Sequence, residues 1–452
     1  MNTELPSSLR VDWSMTYPPA QPSTSYVWTF EPTAHPLDAE LSWPEGTHSI
    51  LIRAFENRLD RFLEWDLSKV KQHDKPAFTT AAGIFRRGVA VSGLAQKQIF
   101  GSYDITFSEV MPAIFGPNDV CIIDKNVADA WSLHSVTANC LILQVEEASK
   151  SLATVSKILS FLEPYRSNPK PIYLVGGGIL CDTAAFACSM KGLDFNLVPT
   201  TLLSMADACV GGKTGVNFSP YGKNQLGKFA FPKEVLVWRN WLNSLPDREL
   251  NAGRSECLKH ILLSKELPNS LATKPFDSLT TVDLAKIIAL KSEVVSRDPT
   301  EKGERAILNL GHTLAHALEA YSHKNNPNQP INHGEAVGIG ILYSLFLSKH
   351  LGQMTEVAFQ KAADLVVSSK VLIGFAKLKA YLPSDNLRDP KMLRDIVQYV
   401  ALDKKSAGQT TRWILLEEIG SVHRHAGHWT TPVEQEDIEN TWEDFVSYFE
   451  KL

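Results

Sequence analysis

The chain has 452 residues, of which 44% are hydrophobic and 21% charged, an ordinary globular composition in which more than one core is expected. Forty-five Lys and Arg against 50 Asp and Glu leave a net charge of -5, so no overall basic field points to nucleic acid or to an anionic membrane surface. No apolar run reaches the roughly 18–20 residues that span a bilayer, and Met1-Asn2-Thr3-Glu4-Leu5-Pro6 has no basic stretch followed by an apolar core, so a secretory signal is not expected and a cytoplasmic protein is.

Residues 1–48 are rich in Pro, Ser and Thr with scattered Trp and Tyr, and are expected to be irregular and partly docked through those aromatics. Ile50, Leu51, Ala54, Leu59, Phe62 and Leu63 approximate a helical stripe, predicting a helix over Ile50–Lys71. From Tyr103 the pattern changes. Val120-Cys121-Ile122-Ile123, Cys140-Leu141-Ile142-Leu143 and Pro171-Ile172-Tyr173-Leu174-Val175 are short apolar runs, separated by an amphipathic helix over Ser151–Leu162. Such alternation marks a parallel α/β sheet. Beyond Pro246 strand signals fade, and helical periodicity appears over Leu284–Ser296, Leu308–Tyr321, Gly334–Leu351 and Glu356–Val366. The reading is an N-terminal extension (1–100), a Rossmann-like α/β domain (101–245) and an all-α domain (246–452). Cys121, Cys140, Cys181, Cys188, Cys209 and Cys257 show no metal or disulfide spacing and read as reduced, buried thiols.

Three constellations carry chemistry. Val175-Gly176-Gly177-Gly178-Ile179-Leu180-Cys181-Asp182 joins a strand to a helix over Thr183–Met190, where bare backbone N–H groups and a helix N-terminus favour a pyrophosphate. It is not GxGxxG, and a ligand-free tight turn stays open. Asp124, in Asp124-Lys125-Asn126-Val127, suits a ribose hydroxyl or a helix cap. Next, Asp207, Val210-Gly211-Gly212-Lys213-Thr214-Gly215-Val216-Asn217 and Gly222-Lys223-Asn224 concentrate Gly, Lys, Thr and Asn into a loop-like phosphate or polyol cradle, the alternative being a solvated surface loop. Finally, Asn309-Leu310-Gly311-His312-Thr313-Leu314-Ala315-His316 puts two histidines on one helix face. Ile331-Asn332-His333-Gly334-Glu335 opens another helix, and Glu256 and Lys259 lie one turn apart. Two or three His with a carboxylate suit a catalytic zinc, but spacing alone does not bring them together.

In this order, these blocks resemble the dehydroquinate synthase family of sugar-phosphate cyclases. The likeness runs from Ser102 to Val422 and also takes in Pro199-Thr200-Thr201, Leu245-Pro246, Arg248-Glu249-Leu250, Arg305 and Asp403-Lys404-Lys405. The resemblance implies Glu256, His312 and His333 as metal ligands, with zinc the usual ion and cobalt possible. It implies NAD on Gly177 and Gly178, with Asp182, Thr200 and Thr201 nearby and Asp124, Asn126, Glu147 and Lys150 at the adenosine end. Lys223 and Asn224 complete that side. Asp207, Lys213, Asn224, Lys259, Asn309, His316 and one of Lys404 and Lys405 would line the substrate, and a homodimer is implied. In such enzymes NAD oxidises a secondary hydroxyl, the ketone acidifies a neighbouring C–H, phosphate leaves by β-elimination, the hydride returns, and an intramolecular aldol closes the ring.

The family divides by substrate. Where the sugar carries a carboxylate, a Lys and an Arg meet it, and Lys291 and Arg305 stand at the matching positions. A buried cation without its anion costs on the order of several kcal/mol, so 3-deoxy-D-arabino-heptulosonate 7-phosphate is the expected substrate and 3-dehydroquinate the product. Three departures stand out: Lys191 where the family has Arg, a change that keeps charge but loses the bidentate fork, Cys181 in place of Gly, and the extension itself. The competing readings are a sedoheptulose 7-phosphate cyclase, a metal-dependent polyol-phosphate dehydrogenase, and a catalytically inert binding protein.

Overall fold

A computed structural model describes residues 8–17, 26–32, 63–66, 77–79, 83–89 and 97–452, apart from breaks at 113, 115, 117, 135–138, 169, 219–221, 276–277, 383–386 and 404–409. The described chain divides into two compact units, one up to Ser244 and one over Leu245–Leu452.

The first unit begins with β1 (Ser8–Tyr17), β2 (Tyr26–Pro32), β3 (Leu63–Asp66), β4 (Ala77–Thr79), β5 (Gly83–Val89) and β6 (Lys97–Ser108). It continues through β7 (Cys121–Asp124), α1 (Lys125–Ala130), β8 (Cys140–Leu143), α2 (Leu152–Phe161), β9 (Ile172–Gly176), α3 (Gly178–Lys191) and β10 (Phe195–Pro199). A hairpin of β11 (Lys213–Phe218) and β12 (Gly222–Phe229) precedes β13 (Glu234–Trp238).

Seven strands form one sheet in the order β1-β6-β13-β10-β9-β7-β8. All its pairings are parallel except β1, which runs antiparallel along β6 from Ser8↔Thr106 to Tyr17↔Lys97. Every residue of β10 is buried, as is the β7 run Cys121-Ile122-Ile123, because a parallel sheet carries helices on both faces. From β7 the chain goes outward to β8 and then back to β9 on the other side of β7. That reversal opens a crevice at the carboxyl ends of β7 and β9, the usual ligand position in doubly wound sheets. A separate antiparallel sheet has the order β3-β2-β5-β4.

Two expectations change here. The segment read as irregular contains β1 and β2, whose alternating residues satisfy their backbone groups by pairing rather than by local structure. Of the helix expected over Ile50–Lys71, Leu63–Asp66 is strand β3 and the rest lies outside the described residues.

The second unit comprises α4 (Asp247–Leu263), α5 (Ser270–Thr273), α6 (Thr281–Arg297), α7 (His312–Asn325), α8 (His333–His350), α9 (Glu356–Ser368), α10 (Phe375–Tyr381) and α11 (Pro390–Asp403). Then come β14 (Thr410–Trp413), β15 (Leu416–Glu418), β16 (Ser421–Val422), β17 (Thr431–Glu434) and α12 (Gln435–Phe449). The unit is therefore helical but not all-α: two antiparallel ribbons, β14-β17 and β15-β16, join its last helices. They are too short for an alternating pattern to register in the sequence.

Helix α8 is the hub of this unit, buried at every position from Gly334 to Ser348. Glycine sets its closest approaches. A Cβ on Gly334 would come within 2.1 Å of Ala252 Cα on α4. One on Gly340 would come within 2.0 Å of the Gly311 carbonyl, and Gly311, at φ +80°, turns the chain into α7. Backbone contact at two glycines thus brings α4, α7 and α8 together. The six cysteines form no disulfide, and burial pushes the Cys121 and Cys188 thiols up to about 12.

Candidate active site

In the sheet unit, Gly177 caps α3 with no side-chain hydrogen bond, and the first turn carries no acidic residue. The positive end of a 14-residue helix therefore points out of β9 uncompensated, which suits an anion. The glycines also fit sterically: a Cβ on Gly177 would press on Thr201 Cγ2 at 3.1 Å, and one on Gly178 on Ala208 Cβ at 3.1 Å. Asp124 ends β7, and its Oδ1 accepts the Asn126 N–H at 2.9 Å, so it is a helix cap as well as a crevice carboxylate. Burial raises its pKa.

Opposite the glycine turn, Lys150 Nζ, only 8% exposed, bonds Asp182 Oδ2 at 2.6 Å. Glu147 Oε1 accepts from Asn217 Nδ2 at 2.7 Å and lies 3.9 Å from Lys223 Nζ. Asn224, at φ +54°, donates its backbone N–H to Asn217 Oδ1 at 2.8 Å. Glu147, Lys150, Asp182, Lys223 and Asn224 are thus one connected polar surface. The segment read as a Gly/Lys loop is the β11–β12 hairpin, because Gly215 and Gly227 pair so closely that a Cβ on Gly215 would meet Leu226 O at 2.4 Å. Lys213 opens β11 exposed, Thr200 is buried, Thr201 bonds Ser204, and Asp207 sits half-buried in the π-helical turn Ser204–Ala208. Lys191 pairs with Glu163.

In the helical unit, Glu256 (α4), His312 (α7) and His333 (α8) converge. Both histidine Nε2 atoms lie 3.4 Å from Glu256 Oε1. That is longer than an ordinary N–H···O bond, so neither histidine completes a normal hydrogen bond to the buried Glu256 carboxylate. Ligands held about 2.0–2.2 Å from a tetrahedral zinc stand about 3.4 Å apart, so the donors present fit such an ion. Lys259 also reaches Glu256 and is 1% exposed.

Burial opposes the Glu256 charge, but Lys259 and His312 outweigh it and hold the carboxyl well below its usual range. Burial, with Lys259, pushes His312 down to about 4, leaving the neutral imidazole a ligand needs. His333 is raised to about 10, because Glu319 and Glu256 outweigh its burial, so an ion there displaces a proton.

The ring of His316 stands 5.6 Å from that of His312 and 6.3 Å from that of His333. Asn309 Nδ2 donates to Glu301 Oε1 at 2.7 Å. Lys291 and Arg305 are 5% and 3% exposed, so neither is a solvated helix cation; Arg305 Nη1 donates to Pro299 O at 2.5 Å. Lys404 and Lys405 lie outside the described residues.

Sequence reasoning missed Glu319, whose Oε2 lies 3.2 Å from His333 Nδ1, although it falls one turn beyond His316 on the same helix. It also gave Glu335 no role. That buried carboxylate takes a bidentate Arg248, Lys377 at 2.8 Å and Tyr381, and closes a capping box with Asn332, which fixes the turn that begins with His333. The pattern Asn332-x-x-Glu335 is a legible capping signal.

Comparison with known proteins gives consistent results. The 3-dehydroquinate synthase N-terminal family model matches residues 140–252, and the 3-dehydroquinate synthase C-terminal model matches 253–406. A 3-dehydroquinate synthase of Methylacidiphilum infernorum is 37% identical over 297 residues, 65% of this chain and 78% of that relative. The 3-dehydroquinate synthase of Sulfurovum sp. is 33% identical over 71% of this chain and 89% of its own length. Among solved structures, 2-deoxy-scyllo-inosose synthase complexed with carbaglucose-6-phosphate, NAD+ and Co2+ superposes at TM-score 0.64, with 24% identity over 76% of this chain and 97% of the other. The 2-epi-5-epi-valiolone synthase of Streptomyces hygroscopicus subsp. jinggangensis 5008, with NAD+ and Zn2+ bound, gives 0.59 and 23%, over 79% and 99%. At those identities the two structures speak to fold.

Proposed function

The chain belongs to the 3-dehydroquinate synthase family, and from that premise we propose that it converts 3-deoxy-D-arabino-heptulosonate 7-phosphate into 3-dehydroquinate and phosphate. The observation that carries the reading is the convergence of Glu256, His312 and His333 in a chain of this family. NAD and a divalent ion, zinc or cobalt, are the cofactors. When bound, the nicotinamide removes and returns a hydride while the ion polarises the oxygen of the reacting carbon.

The rest is the work of this chain's side chains. Gly177, Gly178, Thr200 and Thr201 hold the pyrophosphate end of the cofactor, with Asp124, Asn126, Glu147, Lys150 and Asp182 orienting the adenosine end. Lys213, Lys223 and Asn224 give the sheet unit cationic and amide donors for phosphate oxygens. Asp207 and Asn309 orient hydroxyls, and Lys259 holds Glu256 ionised. His316, one turn from a ligand, moves a proton at the reacting hydroxyl. One of Lys404 and Lys405 lines the substrate. Lys291 and Arg305, both buried in the helical unit, grip the sugar carboxylate. The reading extends to a cytoplasmic homodimer in aromatic amino-acid biosynthesis. No described helix is long and apolar enough to cross a membrane.

The test is phosphate release from protein supplied with NAD, Zn2+ and each sugar phosphate in turn, with identification of the ring product. The expected result is release from the heptulosonate without NADH accumulating. Release from sedoheptulose 7-phosphate alone would move the assignment to a cyclase of neutral sugars, and steady NADH formation to a dehydrogenase.

A further inference from the structure

His312 and His333 present the same nitrogen to Glu256 but have the other nitrogen held in different ways. His312 Nδ1 lies 3.1 Å from the Leu310 carbonyl oxygen, which can only accept, so Nδ1 carries the proton and Nε2 the lone pair. At His333 it is a side chain, Glu319 Oε2, that stands at Nδ1, 3.2 Å away. Glu319 is 7% exposed and sits on α7, two turns after His312 and one after His316. A carboxylate buried against an imidazole accepts its N–H, raises the basicity of the far nitrogen and fixes the ring plane.

We propose that Glu319 is a positioning residue for the Glu256–His312–His333 centre: it accepts the Nδ1 proton of His333 and so selects the tautomer that turns the Nε2 lone pair toward Glu256. The inference rests on the metal-site reading above. The geometry also has a rival. His316, Glu319 and His333 themselves bring three donor atoms within 4.8 Å of one another, the arrangement of a second ion site. His333 cannot serve both with a single neutral ring, because its Nδ1 would have to give up its proton to a second ion.

The test is metal binding by the apoprotein, titrated with Zn2+ against a chromophoric chelator and with Co2+ followed by its visible absorption, on wild type, Glu319→Gln and Glu319→Ala. Gln keeps an oxygen acceptor of the same length without the charge. The expected result is one ion per chain in wild type. Affinity should fall by about 10–100-fold in Glu319→Ala and by less in Glu319→Gln, with the melting temperature of the Glu319→Gln apoprotein unchanged. A role in packing alone would lower the melting temperature without separating the two variants in affinity.

Unchanged affinity in both variants overturns the proposal. So does a wild-type stoichiometry of two that drops to one on losing Glu319, which would make Glu319 a ligand. Failure of wild type to bind any ion would instead sink the metal centre itself, so the two failures are distinguishable.

Discussion

At the end of β9 a handful of consecutive residues supplies what an anion needs, namely bare backbone, a helix terminus and no competing acid. The Glu256 centre takes its donors from three helices that are far apart in sequence and meet through glycine contacts. Geometry in the first place is a property of local chain direction. In the second it is a property of packing, and it is lost wherever packing is lost. Substitutions should therefore behave differently in the two units.

The sharpest division is expected from His312→Ala. Turnover should fall by at least about a thousandfold, the loss of several kcal/mol of charge stabilisation, while NAD binding measured by fluorescence stays intact. Stripping the ion with a chelator should do the same reversibly. Loss of NAD binding in His312→Ala would mean that the two sites are not separable.

Gly334→Ala comes next. A Cβ 2.1 Å from Ala252 Cα forces α4 and α8 apart, and overpacking against backbone costs about 1–3 kcal/mol or more. Thermal melting should register that cost, and Zn2+ affinity should fall with it even though no ligand has changed. An unaffected affinity would show that the ligands do not depend on this helix contact.

Asp124→Ala should weaken NAD binding about tenfold, the loss of one charge-assisted hydrogen bond of about 1.5 kcal/mol, and leave Zn2+ affinity unchanged in the chelator titration.

The smallest effect concerns Asp283, which closes the capping box of α6 with Thr280 and pairs with Lys274 at 2.5 Å. Burial raises its pKa, but Lys274 and Thr280 outweigh that and lower it below the ordinary 3.8. A depressed carboxylate stabilises the fold above its unfolded value, and that stability drains away as pH falls through the folded value. Asp283→Asn should therefore cost about 1 kcal/mol at pH 7, with the gap to wild type closing below pH 3.8 in acid unfolding curves.

The sequence reveals each kind of architecture to a different depth. The apolar runs ending in Asp124 and Gly176 are visible because a doubly covered parallel strand is continuous and short. The helices Thr281–Arg297, His333–His350 and Glu356–Ser368 are visible through their periodicity. Antiparallel β1 escapes detection because its partner, β6, is some ninety positions away, and Pro and Ser around it mimic irregular chain. The Lys213–Asn224 stretch looks like a loop because glycine is read as a breaker, whereas here it lets two strands press together. His312 and His316 can be paired from their spacing. Glu256 and His333 lie on other helices and cannot be added by spacing, so they entered through family likeness, while Glu319, one turn beyond His316, has the spacing but nothing in the sequence that marks it as a partner of His333.

β1 carries a practical consequence. Ten of its residues cover the flank of β6, and a flank stripped of its neighbour displays a row of unpaired amides and carbonyls that recruits other chains. Cutting the first twenty positions away to shorten the polypeptide would leave that ladder sticky, so precipitation of the trimmed product should not be mistaken for a defect in its chemistry.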